Sequence, residues 1–384
     1  MINVAVLGTG AISGSHIEAY LEFKDRCKIV ALVDKFTDKA QAKIDEFKLE
    51  GTKAIGDYKE LLKMEDKPNL VSICLPPSLH CEIACQLLEN GVGVICEKPL
   101  APTLEECDKM LAAAKKGGAM LSTVAQNRFK PDCVKIRELM KSGIMGNPLS
   151  TIVTSLWWRG ENYYNLSWRG TWESEGGGCT LIHGIHHIDL FLSLMGKVKD
   201  VTAVVDNKAH TNSEVEDISM SLVHFENGAV GTVISSLLHH GEEQKLYIDC
   251  EKASVELPLK IRANSQLENG FPEDNKEILD KCNEFVEKIE PKYTAHTAQI
   301  DDCLTAFENH REPFITGEDG RRAIEFIAAT YQSAFLKQTV TLPLTEKDPF
   351  YSKAGINKYA TKFYEKSVSI DNFKNDKIQV GGTL

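Results

Sequence analysis

The chain has 384 residues, 42% hydrophobic and 26% charged, a balance typical of a globular protein of about two domains. The formal net charge of -11 argues against a nucleic-acid binder, because no basic surplus exists to neutralise phosphates. Every apolar run is shorter than the roughly 20 residues that span a bilayer, and the first residues, MINVAVLGTG, lack the pattern of a secretory signal. We therefore expect a cytoplasmic protein without a membrane partner.

The eleven cysteines are an odd number, and several lie within apolar runs, such as Cys74 and Cys96. No CxxC pair occurs, and Cys81 and Cys85, four residues apart, have no second pair at ligand-like spacing. The pattern predicts buried free thiols in a reducing compartment rather than disulfides or a zinc site.

The first 125 residues alternate short apolar strands with helices. INVAVL at 2–7 is a β-branched run, a helix is predicted from Ser13 or Gly14, and KIVALVD is a second buried strand. NLVSICLPP, GVGVICEKP and the segment near 121–125 add three more strands. Continuous apolar strands separated by helices indicate a parallel sheet that is covered on both faces.

The pattern changes from about residue 149 to 260, where longer strands alternate apolar and polar residues, and FENGAV carries a tight-turn signal. An amphipathic helix is predicted within GEDGRRAIEFIAATYQSAFL, and the tail from about 345 is polar. The predicted fold class is α/β, with a Rossmann dinucleotide-binding domain over 1–125. The second domain, over 126–384, is an α/β domain with a large open, mainly antiparallel sheet.

The segment GTGAIS lies between the first strand and the first helix, the position of a dinucleotide-binding turn. Gly8 permits the tight turn, Gly10 lets the backbone approach a pyrophosphate, and Ser13 replaces the third glycine. Asp34 ends the second strand, where its carboxylate would bind ribose hydroxyls and repel a 2′-phosphate. The sequence therefore favours NAD over NADP, although the adjacent Lys35 weakens that preference and a solvated strand end is the alternative for Asp34.

The tripeptide EKP, Glu97–Lys98–Pro99, closes another apolar strand, and ligands of open α/β sheets lie at the carboxyl ends of strands. Lys98 is therefore expected beside the nicotinamide, whose positive charge would lower the pKa of its ammonium. Such a lysine can bind a substrate hydroxyl and help to move its proton. The alternative is an exposed lysine in a turn.

Together with these motifs, the segments VSICLPPSLH, AQNRF, WRGTWESEGGG, GIHHIDL and FENGAVGT occur in an order that resembles the Gfo/Idh/MocA oxidoreductase family, which includes glucose–fructose oxidoreductase and inositol dehydrogenase. The resemblance covers roughly residues 2–343. It implies a Rossmann domain followed by a domain with an open antiparallel sheet, and hydride transfer between a nicotinamide cofactor and a sugar or cyclitol hydroxyl. It also implies homo-oligomers that pair through the exposed face of that sheet.

The resemblance also implies functional positions. Together with the glycine motif, it gives as cofactor-binding residues Gly8, Gly10, Ala11, Ile12, Asp34, Lys35, Leu75, Pro76, His80, Glu97 and Gln126. The substrate-binding residues it implies are Lys98, Asn127, Arg128, His183, His186 and His296. Lys98 is the expected catalytic lysine, and His186 matches the family's acid/base histidine.

One position departs from the family, which commonly has Asp or Asn four residues before that histidine. Ile182 stands there, and His183 follows it. On an α-helix, residues 182 and 186 share a face, and 183 and 186 are neighbours. His183 is therefore a third catalytic candidate that assists Lys98 and His186, but it cannot supply the negative charge of an aspartate.

The segment GGGCTLIHGIHHIDLF also raises the alternative of a metal site. His183 and His187 have HxxxH spacing, but no internal glutamate gives the HExxH pattern, and the adjacent His186 and His187 diverge on a helix. We therefore predict no metal, an acid/base role for His186, and packing or solvent contact for His187. Asp189 either orients an imidazole or caps local polar groups.

The segment WWRGENYYNLSWRGTW is unusually aromatic. Aromatic faces stack on sugar rings, and arginine fixes hydroxyl groups, so Tyr163, Trp168 and Arg169 are the preferred substrate-binding candidates. Ordinary core packing is the alternative for each residue. His239 and His240 are weaker candidates at a strand end.

These features predict an NAD-dependent oxidoreductase that acts on a secondary hydroxyl of a sugar, glycoside or cyclitol, with C3 of a glucoside as the most specific case. Lys98 and His186 would handle the hydroxyl proton. One alternative is a glycosidase that uses transient oxidation with retained NAD. Another is a non-catalytic sugar or dinucleotide sensor, against which the presence of both Lys98 and His186 argues.

Overall fold

The structure is a computed structural model that describes residues 1–371 and 373. The α-helices are α1 (Ser13–Leu21), α2 (Thr37–Phe47), α3 (His80–Glu89), α4 (Leu104–Gly117), α5 (Pro131–Lys141), α6 (Ile185–Met195), α7 (Lys276–Glu287), α8 (Ala295–Glu308), α9 (Gly317–Leu336) and α10 (Lys353–Tyr359). The strands are β1 (Ile2–Leu7), β2 (Cys27–Val33), β3 (Lys53–Ile55), β4 (Leu70–Ile73), β5 (Gly93–Cys96), β6 (Leu121–Thr123), β7 (Pro148–Trp158), β8 (Val198–Asp206), β9 (Ile218–Phe225), β10 (Val230–Ser236), β11 (Leu238–Cys250), β12 (Ser254–Leu257), β13 (Lys260–Arg262), β14 (Asn264–Gln266), β15 (Pro272–Asp274) and β16 (Val340–Thr341).

The first compact unit comprises residues Met1–Phe129 and Tyr293–Ile324. Its six strands pair in parallel in the order β3-β2-β1-β4-β5-β6. Every residue of β4 and β5 is buried, which explains why these strands are continuously apolar in the sequence. The predicted Rossmann-type parallel sheet is confirmed.

Residues 293–324 belong to the first unit because α8 packs against α1. Ile300, Cys303 and Leu304 of α8 are part of the buried cluster beneath β1 and α1. The compact units thus differ in extent from the domains 1–125 and 126–384. Those limits describe functional domains, and they stay a prediction.

The second compact unit comprises residues Lys130–Lys292 and Glu325–Leu384. Its eight-stranded sheet has the order β13-β12-β11-β7-β10-β9-β8-β16. All neighbours are antiparallel except β10 and β7, which confirms the predicted open, mainly antiparallel sheet. Residues of β9 alternate between buried and exposed, as expected for a sheet with one covered face.

The predicted tail from about 345 contains α10, followed by a segment without regular structure up to residue 371. Residues 372 and 374–384 of the predicted tail lie outside the described residues. The eleven cysteines are free, and eight of them are buried, in agreement with the prediction. Among the described residues, no helix is both long and apolar enough to cross a membrane.

Candidate active site

The turn between β1 and α1 has the geometry of an anion-binding site. Gly8 has φ +87°, and a Cβ atom there would lie 2.4 Å from the carbonyl oxygen of Cys74, so only glycine fits. Beside Gly10 no atom lies within 4 Å of the position of a Cβ. No side chain caps the first N–H groups of α1, which begins at Ser13, so these donors and the helix dipole suit a pyrophosphate.

Asp34 presents a carboxylate at the carboxyl end of β2. The amide and hydroxyl of Thr9 donate hydrogen bonds to Oδ2 over 3.1 and 2.7 Å, and the amide of Phe36 donates to Oδ1 over 3.0 Å. Burial would raise the pKa of Asp34, but these hydrogen bonds lower it below its ordinary value. The ionised carboxylate suits ribose hydroxyls. The neighbouring Lys35 places its ammonium 4.8 Å from the centre of the Phe36 ring.

His80 joins two segments of the predicted cofactor site. Its ring is buried, with Nδ1 2.9 Å from the carbonyl oxygen of Pro99 and Nε2 2.8 Å from that of Leu75. The histidine thus holds the EKP turn against the segment that carries Leu75 and Pro76. A contact between His80 and the cofactor stays a prediction.

Glu97 is buried between two histidines that are distant in sequence. Nε2 of His16 donates a hydrogen bond to Oε1 of Glu97 over 3.0 Å, and Nε2 of His296 lies 3.7 Å from the same oxygen. The Nδ1 atom of His16 lies 3.1 Å from the hydroxyl of Ser72, which lies 2.8 Å from that of Tyr20. If Tyr20 donates to Ser72 and Ser72 donates to His16, the polar groups of these three side chains all have hydrogen-bond partners.

The Glu97 carboxylate carries a negative charge next to Lys98. Burial would raise the pKa of Glu97, but the hydrogen bond from His16, the nearby His296 ring and the charge of Lys98 hold it well below its ordinary value. The amide of Lys98 donates to Oε2 of Glu97 over 3.2 Å. The proposed catalytic lysine thus follows directly after an ionised, buried carboxylate.

Among the described residues, His16, Glu97 and His296 are the His, Cys, Asp or Glu side chains that lie close enough together to hold a metal ion. The ligand atoms of His16, Glu97 and His296 lie within 4.8 Å of one another. The hydrogen bond between His16 and Glu97 accounts for their approach without an ion. The absence of a metal from the reaction stays a prediction.

The segment after β6 places Gln126, Asn127 and Arg128 in a short 3₁₀ turn. The guanidinium of Arg128 is buried and pairs with Asp319 over 3.2 Å. This ion pair fixes the turn to the start of α9, and substrate binding by Arg128 stays a prediction. Asn127 is also buried, whereas the buried amide oxygen of Gln126 has no hydrogen-bond partner among the described residues.

In the second unit, one buried carboxylate organises the segment before His186. The amides of Gly178 and Thr180 donate to the carboxylate of Glu216 over 2.9 and 3.0 Å, and the hydroxyl of Tyr331 donates over 2.9 Å. A Cβ atom on Gly178 would lie 1.9 Å from the carbonyl oxygen of Glu216, which explains the last glycine of GGG. Burial raises the pKa of Glu216 to about 7 despite these hydrogen bonds.

The histidine segment begins with one π turn over Thr180–Gly184 and continues as α6. The expectation of plain α-helical spacing between residues 182 and 186 is therefore wrong. The π turn begins at Thr180, whose amide donates to Glu216. Single π turns are frequent at functional sites.

The three histidines have different surroundings. His186 lies in the first turn of α6 and is partly exposed. His183 is partly exposed, with Nε2 3.4 Å from the hydroxyl of Tyr163 and its ring centre 5.9 Å from that of Trp157. His187 is buried, with Nδ1 2.8 Å from the hydroxyl of Ser155, and burial lowers its pKa to about 3. This confirms that His187 packs in the interior, and Asp189 is buried as well.

Residues 159–172, hereafter the aromatic loop, bring the predicted substrate residues together near His183. The guanidinium carbon of Arg169 lies 4.0 Å from the centre of the Tyr163 ring and 3.9 Å from that of Trp168. Its Nη1 donates to the buried Glu175 over 2.8 Å, while Nε has no hydrogen-bond partner among the described residues. The arrangement combines aromatic faces, a cation and a hydroxyl, as sugar binding requires. His239 and His240 are exposed, and His240 stacks on Trp158.

The second unit thus carries a polar, aromatic site, and the first carries a dinucleotide-type site, as in a nicotinamide-dependent dehydrogenase. A model of the oxidoreductase family with an NAD-binding Rossmann fold, GFO/IDH/MocA, matches residues 2–125, and the model of the C-terminal domain of that family matches residues 133–256. The chain belongs to the Gfo/Idh/MocA oxidoreductase family. It is an NAD-dependent dehydrogenase of the class that acts on CH–OH groups.

Curated relatives and solved structures agree with this assignment. The chain is 27% identical over 260 residues to D-glucoside 3-dehydrogenase of Escherichia coli K12, covering 64% of this chain and 73% of the relative. It is 25% identical to myo-inositol 2-dehydrogenase of Thermotoga maritima, covering 89% and 98%. The WlbA dehydrogenase of Bordetella pertussis, solved with NADH and UDP-GlcNAcA, shares the fold with a TM-score of 0.77 at 24% identity, covering 90% and 98%.

Sequence reasoning missed several residues that shape the site. His16 lies on α1, only six residues after Gly10, and its position next to a cofactor turn was an available signal. Glu175 and Glu216 carried no such signal, because nothing local distinguishes a buried glutamate from a solvated one.

Proposed function

We propose that the enzyme transfers a hydride from a secondary hydroxyl carbon of a sugar, glycoside or cyclitol to NAD, with C3 of a glucoside as the most specific case. The carrying observation is the aromatic loop, where Arg169 lies between two aromatic rings and Tyr163 approaches His183. The named activities of the glucoside and inositol dehydrogenase relatives support the same class of substrate.

In the proposed mechanism, Lys98 and His186 handle the proton of the reacting hydroxyl, and bound NAD supplies the hydride acceptor. The buried Glu97 holds a negative charge beside Lys98, which stabilises the ammonium that forms when the lysine takes up the hydroxyl proton. His183, which lies near Tyr163 of the aromatic loop, assists them. The neighbouring position, where the family commonly has Asp or Asn, holds Ile182. The cofactor is held by Gly8, Gly10, Ala11, Ile12 and the carboxylate of Asp34.

The test is NADH absorbance in a panel of myo-inositol, D-glucose and methyl β-D-glucoside with NAD as the oxidant. The full chain is expected to reduce NAD with at least one of them. Lys98→Ala should lower kcat about 10³-fold, and His186→Ala should lower it about 10²-fold. The exposed-surface control Lys347→Ala should have the kcat of the wild type. Absence of reduction with the whole panel contradicts the proposal, and glycoside cleavage without net NADH favours the redox-assisted glycosidase instead.

We also propose a homo-oligomer that pairs through the open face of the second-unit sheet, within the cytoplasm. The support is a set of large apolar side chains on that face, with exposed fractions of 46% to 67%: Ile152, Val204, Met220, Leu222 and Val230. The eleven free cysteines fit a reducing compartment. Leu222→Lys should lower the sedimenting mass, whereas an unchanged mass contradicts pairing through this face.

A further inference from the structure

We propose that residues 361–370, hereafter the C-terminal strap, are a positioning element of the substrate site. The strap lies across the aromatic loop and fixes the segment that carries Tyr163, Trp168 and Arg169. This inference rests on the proposed function, because it takes the aromatic loop as the place where the sugar binds.

The strap and the loop pair through their backbones. The amide of Ser167 donates to the carbonyl oxygen of Ile370 over 2.8 Å, and the amide of Ile370 donates to the carbonyl oxygen of Asn165 over 2.8 Å. These reciprocal bonds form a short parallel bridge between Leu166 and Ile370. The bridge lies between Tyr163 and Trp168 in the sequence, so it restrains the loop from the middle.

A single buried amide joins the strap to the loop a second time. The Oδ1 atom of Asn212 accepts hydrogen bonds from the amides of Ser367 and Val368 over 2.8 and 2.9 Å. Its Nδ2 atom lies 3.0 Å from the carbonyl oxygen of Val368 and 3.1 Å from that of Tyr164. Because Asn212 is buried, losing these partners would leave an unsatisfied polar group.

Lys366 adds a charge to the contact. Its ammonium donates to the carbonyl oxygen of Tyr164. It also interacts with Glu175, the buried carboxylate that pairs with Arg169, and together with Arg169 it opposes the rise that burial causes in the Glu175 pKa. The strap therefore supplies a positive charge near the carboxylate that pairs with Arg169.

The first residues of the strap are held by other hydrogen bonds, away from Tyr164. The indole N–H of Trp172 donates to the carbonyl oxygen of Thr361 over 3.0 Å, and the amide of Phe363 donates to that of Glu214 over 3.1 Å. The loop itself contains one 3₁₀ turn and no longer regular element, so it has few internal bonds that would order it. Ordering the long side chains of a binding site costs free energy on binding, and the strap lowers this cost by ordering the loop before the sugar binds.

The test compares a chain ending at Ala360 with a control chain ending at Asp371, which keeps the strap. Loss of the strap should speed amide hydrogen exchange in residues 161–170 and raise KM for the sugar about tenfold, with kcat changed much less. The Kd of NAD should stay unchanged. Unchanged exchange in 161–170 overturns the proposal, and faster exchange with an unchanged KM overturns its substrate part.

A point variant keeps the proposal testable if the shortened chain does not fold. Lys366→Met should speed exchange around Tyr164 and raise KM about threefold, whereas the exposed control Lys347→Met should change neither, and equal behaviour of the two variants overturns the proposal. If the full chain turns over none of the panel sugars, the proposed function fails, and the exchange measurement still decides whether the strap holds the loop.

Discussion

Glu97 in the first unit and Glu216 in the second are both buried glutamates, yet their surroundings shift the carboxyl pKa in opposite directions. Burial by itself raises the pKa of both carboxyl groups, but at Glu97 the neighbouring histidines and the charge of Lys98 reverse this effect. Glu216 receives only neutral amide and hydroxyl donors, and its pKa rises to about 7. The difference teaches that the partners of a buried carboxylate, rather than its depth of burial, decide whether it stays ionised.

The two carboxylates accordingly do different work. Glu97 supplies a fixed negative charge next to the lysine that we propose to move a proton. Glu216 binds the amides of Gly178 and Thr180 just before His186, the histidine that we propose as acid/base. Replacing each by its amide separates loss of charge from loss of shape.

The largest effect is expected for Glu97→Gln, which removes the negative charge beside Lys98. We expect kcat/KM to fall about 10²-fold, and the acid limb of its pH profile to move to lower pH because the lysine loses its proton more readily. The measurement is the pH dependence of NAD reduction. Glu89→Gln, at an exposed pair with Lys116, is the control. An unmoved acid limb would mean that Glu97 does not act on Lys98.

Glu216→Gln should change the pH dependence of stability. In the folded chain this carboxyl has a pKa of about 7 against 4.5 in the unfolded chain. A raised pKa means that its contribution is fully present below pH 4.5 and is lost as the pH rises to about 7. Between pH 5 and pH 8 the free energy of unfolding should therefore fall by about 2 kcal/mol more in the wild-type chain than in the variant.

Thermal unfolding of Glu216→Gln and of the exposed control Glu268→Gln, measured from pH 5 to pH 8, checks this expectation. The control should follow the wild-type curve. A Glu216→Gln curve that falls as steeply as the wild type would contradict the raised pKa.

Asp34→Ala extends the comparison to a carboxylate held by backbone and hydroxyl donors. Its loss should raise KM for NAD about tenfold and narrow the preference for NAD over NADP, because the ribose loses its acceptor and the repulsion of a 2′-phosphate disappears. Steady-state kinetics with both cofactors measures the change. Retained discrimination would assign the preference to another residue.

The smallest effect is expected for Tyr163→Phe, which removes the hydroxyl 3.4 Å from His183 while keeping the ring against Arg169. We expect KM for the sugar to rise about threefold with kcat nearly unchanged, the size of one lost hydrogen bond. Tyr359→Phe, on α10, serves as the matched control. A fall in kcat alone would instead mean that Tyr163 acts in the chemical step.

Much of the fold could be predicted because its signals are local. The buried runs of β4 and β5 and the turn at Gly8 lie within short segments, and the structure has them as expected. The return of α8 to the first unit could not be predicted, since it depends on packing between segments far apart in the sequence: Ile17 of α1 and Ile300 of α8 belong to one buried cluster.

The site shows the same limit. Sequence reasoning selected Glu97 and His296 separately, but nothing in either segment indicates that they share a carboxylate contact with His16. The sequence predicts α-helical spacing before His186, whereas the structure has a π turn there, next to backbone amides that donate to Glu216, 36 positions beyond Thr180. The internal partners of Arg128 and His80, which are Asp319 and the carbonyl oxygens of Leu75 and Pro99, are visible only in three dimensions.

The central claim is hydride transfer from a sugar or cyclitol carbon to NAD. The most direct measurement uses the panel substrate that the full chain oxidises, carrying deuterium at the reacting carbon, followed by mass spectrometry of the nicotinamide product. Hydride transfer predicts NADH that carries one deuterium, and this labelled NADH should not form with Lys98→Ala. Substrate conversion that leaves the nicotinamide product unlabelled would contradict it.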